Sequence, residues 1–71
     1  MVKQVLKLDR EGWAVFTGVG GSLHIGTIGK NGDVYRIRDL WATLTDTPGN
    51  REKAISIWKA NSFAREVKGV N

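Results

Sequence analysis

The dipeptide Asn31-Gly32 constrains the fold of this chain more than any other feature of its sequence. It separates two runs that are rich in β-branched and aromatic residues. Asn and Gly both tolerate the positive φ that a type I′ turn requires at its two central positions. The sequence therefore predicts a β-hairpin with strands at about residues 22–29 and 34–44.

A two-residue turn at Asn31-Gly32 also predicts which side chains face each other, because partners across a hairpin project to the same side of the sheet. One face is expected to be aromatic and aliphatic, with these pairs: Ile28 and Tyr35, Gly26 and Ile37, His24 and Asp39, Ser22 and Trp41, and Lys30 and Asp33 next to the turn. The other face is expected to carry two arginines, with these pairs: Thr27 and Arg36, Ile25 and Arg38, and Leu23 and Leu40.

Residue periodicity predicts two further strands and one helix. Alternation of apolar and polar residues predicts strands at residues 2–8 and 13–19, and the glycine-rich stretch 18–22 leads into the hairpin. From residue 51 the apolar period becomes helical, with Ala54, Ile57 and Trp58 in one stripe. The stripe does not continue past Asn61, which predicts a helix at about residues 50–61 and a tail at residues 62–71.

The chain is therefore predicted to be a single α+β domain, residues 1–71, in which a three- or four-stranded antiparallel β-meander packs against one C-terminal α-helix. At 71 residues it buries only about 60% of its unfolded surface, so a homodimer, a partner or a ligand would add needed stability. Cysteine is absent, and there is no apolar signal segment or long apolar run. We expect a cytoplasmic protein without membrane contact that begins natively at Met1.

The charge balance favours an acidic partner. Lysine and arginine number 11 against 7 aspartate and glutamate, giving a net charge of +4, although many small proteins carry such an excess only for solubility. Arg36 and Arg38 stand two residues apart and are expected to project together from the face that the helix leaves open. We therefore predict a non-enzymatic module that binds nucleic acid, in particular duplex DNA, through Arg36, Arg38, Thr27 and Lys30, with Lys53 and Lys59 as further phosphate contacts.

A protein-binding role is the alternative. Apolar residues share the predicted arginine-bearing face, and the glycine-rich stretch 18–22 offers an adaptable loop. A small inhibitor or accessory factor would bind a host protein through Trp13, Val19, Leu23, Ile25 and Leu40. Trp13 is also the aromatic residue that we expect nearest a sheet end, where a ring is available for stacking.

Catalysis is not expected. His24 and Asp39 are predicted neighbours that resemble a general base with its orienting carboxylate, but no nucleophile lies beside them and a structural hydrogen bond is the favoured interpretation. The glycine-rich stretch matches neither phosphate-binding loop pattern. A single histidine without cysteine does not make a structural zinc site, so we predict no cofactor and no metal.

The order of elements resembles small DNA-binding domains built from a three-stranded sheet and a helix. This group includes the arm-binding domains of tyrosine recombinases, plant AP2 domains and related short bacterial or phage proteins. The resemblance covers about residues 12–60 and involves the stretches Gly12-Trp13-Ala14-Val15, Ile25-Gly26-Thr27-Ile28, Val34-Tyr35-Arg36-Ile37 and Lys53-Ala54-Ile55. It implies that the sheet face bearing Arg36, Arg38 and Thr27 binds duplex DNA, and that residues 2–8 form an additional strand.

Overall fold

The computed structural model describes the backbone of residues 2–70 and, apart from Val19 and residues 63–70, their side chains. The described elements are β1 (Gln4–Leu8), β2 (Trp13–Thr17), a 3₁₀ turn (Val19–Gly21), β3 (Ser22–Asn31), β4 (Val34–Thr45) and α1 (Pro48–Val70). The strands form one antiparallel sheet in the order β1-β2-β3-β4. The predicted α+β fold is confirmed, in its four-stranded form. Among the described residues, no helix is both long enough and apolar enough to cross a membrane.

The sheet carries an apolar cluster on each face, and β2 contributes to both. On the side of α1, Val15, Leu23 and Ile25 are fully buried with Ala54, and Ile57 and Trp58 pack against them. The predicted helical stripe is therefore the buried side of the helix. On the opposite side, a second cluster is formed by these residues: Ala14, Phe16 and Ile28, with Val2, Val5 and Tyr35 around them.

The hairpin turn lies one residue later than predicted. Asn31 pairs with Val34, so Gly32 and Asp33 occupy the two central positions, and only Gly32 of these has a positive φ, at 67°. A two-residue turn with glycine at its first central position needs a positive φ only at that residue, whereas the predicted type I′ turn needs a positive φ at both central residues. The predicted register is therefore wrong. Lys30 faces Tyr35 instead of Asp33, and Ile28 faces Ile37 instead of Tyr35.

Two irregularities in β4 shift the register further. Between the pairs Ile28–Ile37 and Thr27–Asp39, Arg38 is an extra residue, and between Gly26–Leu40 and Ile25–Ala42, Trp41 is extra. Each extra residue forms a β-bulge, which re-aims the side chains on either side of it. A prediction based on strict alternation does not survive two bulges, and none of the pairs predicted for this hairpin is formed.

Helix α1 covers the opposite face of the sheet from the one predicted. The aromatic and aliphatic face of Ile28, Tyr35 and Ile37 was expected beneath the helix, but α1 packs on Leu23 and Ile25. Leu23 and Ile25 project from the same side of β3 and pair with Leu44 and Ala42 of β4. The four side chains form an apolar surface against which the helix packs.

The helix is longer than predicted. It extends from Pro48 to Val70, whereas the predicted helix ended near Asn61. Loss of an apolar stripe does not end a helix unless a breaker is present, and neither proline nor glycine occurs between Gly49 and Gly69. The polar residues at the expected boundary have partners. The Asn61 side chain donates to the Ile57 carbonyl at 2.9 Å, and the Ser62 hydroxyl donates to the Asp9 carboxylate at 3.0 Å.

Candidate nucleic-acid interface

The end of the β3–β4 hairpin forms a two-stranded arm. The last β2 contacts to β3 are the pair Trp13–Thr27 and a hydrogen bond of 2.8 Å from the Ile28 amide to the Gly12 carbonyl. Beyond this point, residues 29–36 of the described chain are paired only with each other across the hairpin. The arm, which we define as residues 29–38, is thus thinner than the helix-covered part of the sheet. It carries the residues Lys30, Arg36 and Arg38.

Arg36 and Arg38 lie close together on the arm and are both exposed. Arg36 is opposite Gly29, and the side chain of Arg38, the first bulge residue, runs over the same glycine. A Cβ atom built on Gly29 would lie 3.1 Å from Cδ of Arg38. Both arginines are therefore on the side of the sheet that carries α1, which corrects the expectation that they face away from it. Both side chains remain exposed, and the apolar cluster on which the helix packs includes no residue of the arm.

Neither guanidinium group is neutralised by a carboxylate within the described part of the chain. The ion pair found there joins Arg51 to Asp46, and the hydrogen bonds between described side chains do not include Arg36 or Arg38. Asp39 follows Arg38 directly and faces Thr27, and Asp33 lies at the turn. The arm and Asp39 together hold three cationic and two anionic side chains, so the local excess of positive charge is small.

The other predicted contact residues are spread over separate parts of the fold. Lys30 is exposed on the arm, but Thr27 is half-buried and faces Asp39 instead of Arg36. Lys53 and Lys59 are exposed on α1, away from the stripe that packs on the sheet. The structure therefore brings Lys30, Arg36 and Arg38 onto one arm and leaves the two helix lysines on another element.

The predicted pair of His24 and Asp39 does not form. His24 faces Thr43, and its Nδ1 atom lies 3.0 Å from the threonine hydroxyl. The imidazole ring also packs against Phe16, with 5.4 Å between the ring centroids. The shifted turn and the bulge at Arg38 together place Asp39 opposite Thr27, so the predicted pairing of a base with its orienting carboxylate is wrong.

Most of the predicted protein-binding surface is in the core. Trp13 is 5% exposed, and Leu23 and Ile25 are fully buried beneath α1. The Val19 side chain lies outside the described residues, and Leu40 is 53% exposed. Trp13 is also no stacking platform, because it is held under the helix by two reciprocal hydrogen bonds. Its indole donates to the Trp58 carbonyl at 3.0 Å, and the Trp58 indole donates to the Trp13 carbonyl at 2.7 Å.

Most of the exposed large apolar side chains lie on β4, and Leu8 of β1 is the other one among the described residues. Trp41 is 60% exposed and makes a T-shaped contact with the Trp13 ring, and Val34 and Ile37 are 45% and 37% exposed. Because β4 ends the sheet, these side chains and Leu40 flank a strand edge that has no neighbouring strand in the described chain. Alternation could not reveal this, since the bulges at Arg38 and Trp41 decide which side chains turn outward.

A bidentate ion pair holds the start of α1. Arg51 donates to both carboxylate oxygens of Asp46, at 2.6 and 2.8 Å, and Thr47 caps the helix by accepting the Asn50 amide at 3.2 Å. The hydrogen bonds and charge of Arg51 lower the pKa of the Asp46 carboxyl, against a weaker opposing effect of desolvation, and the same contacts raise the pKa of Arg51. This cation is thus engaged locally, unlike those of the arm.

Two further observations bear on what the site can hold. Among the described residues, no group of three or more histidine, cysteine, aspartate or glutamate side chains is arranged to bind a metal ion. Comparisons with protein-family models, with curated proteins and with solved structures each find no match to this chain. The resemblance to three-stranded sheet-and-helix DNA-binding domains therefore stays a prediction.

Proposed function

We propose that this protein is a small non-enzymatic module of the cytoplasm that binds nucleic acid, with duplex DNA as the preferred form, through the arm of residues 29–38. The observation that carries the proposal is the pair of exposed guanidinium groups of Arg36 and Arg38. Arg36 pairs with Gly29 across the hairpin and the Arg38 side chain lies over the same glycine, and neither has a carboxylate partner in the described chain.

The shape of the arm supports this role. A two-stranded antiparallel ribbon fits the major groove of B-form DNA, which is about 12 Å wide. The Cα atoms of the molecule span 39 × 32 × 15 Å, so the fold is thin in one direction. The pairing of β2 with β3 ends at Thr27, and the apolar cluster beneath α1 includes no residue of the arm. An arm of this kind can approach a groove or the phosphates at its rim without a clash from the rest of the fold.

The chemistry of the arm supports it as well. Guanidinium groups present several N–H donors in one plane and bind phosphate oxygens or guanine edges in a bidentate manner. Lys30 adds a point charge on the neighbouring strand. Asp33 and Asp39 offset part of the positive charge of the arm, so its net charge is too small for strong nonspecific binding. We therefore expect the loss of any one of Lys30, Arg36 and Arg38 to weaken the affinity for nucleic acid.

The test is a titration of fluorescently labelled duplex and single-stranded DNA with the protein at low salt. We expect the duplex to bind more tightly, and we expect the double variant Arg36→Ala, Arg38→Ala to bind about tenfold or more weakly, because two phosphate contacts are lost. The matched control is Lys3→Ala, Lys7→Ala, which removes the same charge from exposed positions in and just before β1, at the opposite edge of the sheet from β4.

The outcomes separate the proposal from simple charge attraction. Equal weakening in the arginine variant and the lysine variant would show that net charge alone drives binding. Absence of binding by the unaltered protein at low salt would overturn the proposal.

The alternative of a protein-binding inhibitor loses most of its predicted surface, because Trp13, Leu23 and Ile25 are core residues. The exposed apolar residues of β4 favour a protein contact at a different place, along the free edge of the sheet.

A further inference from the structure

We propose that the free edge of β4 pairs with the β4 edge of a second copy of this chain, giving a two-fold symmetric dimer with one continuous eight-stranded sheet. The register that we propose places Arg38 of each copy opposite Asp39 of the other. The inference goes beyond nucleic-acid binding and does not need it, but it uses the same two side chains. In the dimer Arg38 pairs with Asp39 and Arg36 stacks on Trp41, so dimerisation and nucleic-acid binding compete for these arginines.

The edge of β4 is long and apolar enough to be a contact surface. It is a 12-residue strand at the end of the sheet, and its backbone groups on the outer side face no other strand of the described chain. Unpaired strand edges of this length tend to pair with another strand unless lysine, proline or a covering element blocks them. β4 contains neither lysine nor proline, and Ile37, Leu40 and Trp41 are exposed along it.

The charges of β4 are complementary to themselves. In an antiparallel pairing centred between Arg38 and Asp39, each arginine meets the aspartate of the other copy, which makes two equivalent ion pairs across the axis. The same register brings Ile37 opposite Leu40 of the second copy, an apolar pair. It also brings Arg36 opposite Trp41 of the second copy, where the cation can stack on the exposed ring.

Because of the bulges, the side chains that this register brings together are also on the same face of the sheet. Partners across the β3–β4 ladder share a face, so Arg36 and Asp39 lie on the side of α1 with Gly29 and Thr27, while Ile37 and Leu40 lie on the other side with Ile28 and Gly26. The two extra residues are also on the α1 side, with Arg38 over Gly29 and Trp41 against Trp13.

Residues 36, 38, 39 and 41 are therefore on the α1 side of the sheet, and residues 37 and 40 are on the other side. This order of faces is the same whether the segment is read forwards or backwards. A two-fold axis perpendicular to the sheet keeps each face on its own side, so every opposed pair in the proposed register is on one face. An edge with a bulge rejects a regular strand, because the hydrogen-bonding groups lose their spacing. A second copy carries the same irregularity at the matching position, which favours it over an unrelated strand.

The first test is the mass of the protein in solution by sedimentation, in the absence of nucleic acid, for charge variants. The unaltered chain is expected to dimerise. Asp39→Arg and Arg38→Asp each place four like charges at the axis and are expected to weaken dimerisation about tenfold or more. The double variant Arg38→Asp, Asp39→Arg restores opposite charges in the same register and is expected to restore dimerisation. Glu52→Lys, on the exposed side of α1, is the matched control and is expected to leave it unchanged.

The second test uses the absence of cysteine from the chain. When the single variants Ile37→Cys and Leu40→Cys are mixed, the proposed register places the two thiols opposite each other, within the reach of a disulfide. Each variant alone would have its thiols about 10 Å apart along the strand and is not expected to cross-link. A monomer at every concentration, a double charge variant that does not recover, or equal cross-linking of a single variant with itself would each overturn the proposal.

Discussion

At the scale of single residues, Gly26 allows the path of β4. A Cβ atom at this position would overlap the carbonyl oxygen of Asp39 and come within 3.2 Å of the Leu40 Cα atom. The β4 backbone therefore approaches β3 between the two bulges only because residue 26 has no side chain. The bulges in turn place Arg38 over Gly29 and Trp41 against Trp13, so one glycine supports the arrangement of the whole candidate interface.

The variant Gly26→Ala is expected to destabilise the fold by about 2 kcal/mol or more, because a backbone carbonyl must move to accept the new methyl group. Gly49→Ala is the matched control. It places the same methyl group where no atom lies within 4 Å, in a helix, and is expected to be neutral or to stabilise by up to about 1 kcal/mol. Urea unfolding of the three proteins measures both effects. Equal stability of Gly26→Ala and the unaltered chain would contradict the close approach.

At the scale of elements, the helix is held by polar contacts to the loop before it and to the sheet, as well as by the apolar cluster. Two of them lie at its start and near its middle. Arg51 binds Asp46 beside the cap, and Trp58 exchanges indole-to-carbonyl hydrogen bonds with Trp13. These contacts fix how α1 crosses β2 and β3, and so leave the arm uncovered.

The variant Trp58→Phe tests the contact in the middle of the helix. It removes one donor and part of a half-buried ring, and we expect a loss of about 1–2 kcal/mol in the free energy of unfolding. Trp41→Phe changes a ring that is 60% exposed and is expected to change stability by no more than about 0.5 kcal/mol. If chemical denaturation gave the two variants the same stability, the Trp13–Trp58 contact would not be holding the helix.

The Asp46–Arg51 contact predicts a dependence of stability on pH. The hydrogen bonds and charge of Arg51 lower the pKa of Asp46 in the folded state. The contact therefore stabilises the fold fully at pH values above the pKa of Asp46 in the unfolded chain, which is about 4. The stabilisation is lost as the pH falls through the lower pKa that Asp46 has in the folded chain.

The measurement compares the unaltered chain with Asp46→Asn by urea unfolding from pH 7 to pH 2. We expect the unaltered chain to be more stable at neutral pH and the difference to shrink below about pH 4. A stability difference that is the same at every pH would show that the carboxylate charge contributes nothing to the contact.

At the scale of the whole molecule, the sequence was sufficient for the fold class and insufficient for the face of the sheet that each residue occupies. Alternation and the change of period at residue 51 predicted a sheet of three or four strands and a helix, because burial requires those periods, and the sheet has four. The turn at Gly32-Asp33 and the bulges at Arg38 and Trp41 depend instead on local backbone energies and on contacts such as the one at Gly26, which periodicity does not contain. That residues 1–71 form a single domain stays a prediction.

The candidate site was predictable in composition but not in geometry. Arg36, Arg38 and Lys30 were identified by charge and spacing, and they are exposed on one arm. Thr27, which was expected opposite Arg36, lies opposite Asp39 because of the register error. The exposed ring of Trp41 carried no signal in the sequence, because a tryptophan in a strand is most often a core residue.

The measurement that tests the central claim most directly is the salt dependence of duplex DNA binding for the unaltered protein and the Arg36→Ala, Arg38→Ala variant. The logarithm of the binding constant falls with the logarithm of the salt concentration with a slope of about −0.9 for each phosphate neutralised. If both arginines contact phosphates, the variant binds more weakly and its slope is shallower by about 1.8. An unchanged slope, or an unaltered protein that does not bind duplex DNA at the lowest salt concentration, would contradict the claim that the arm is a nucleic-acid interface.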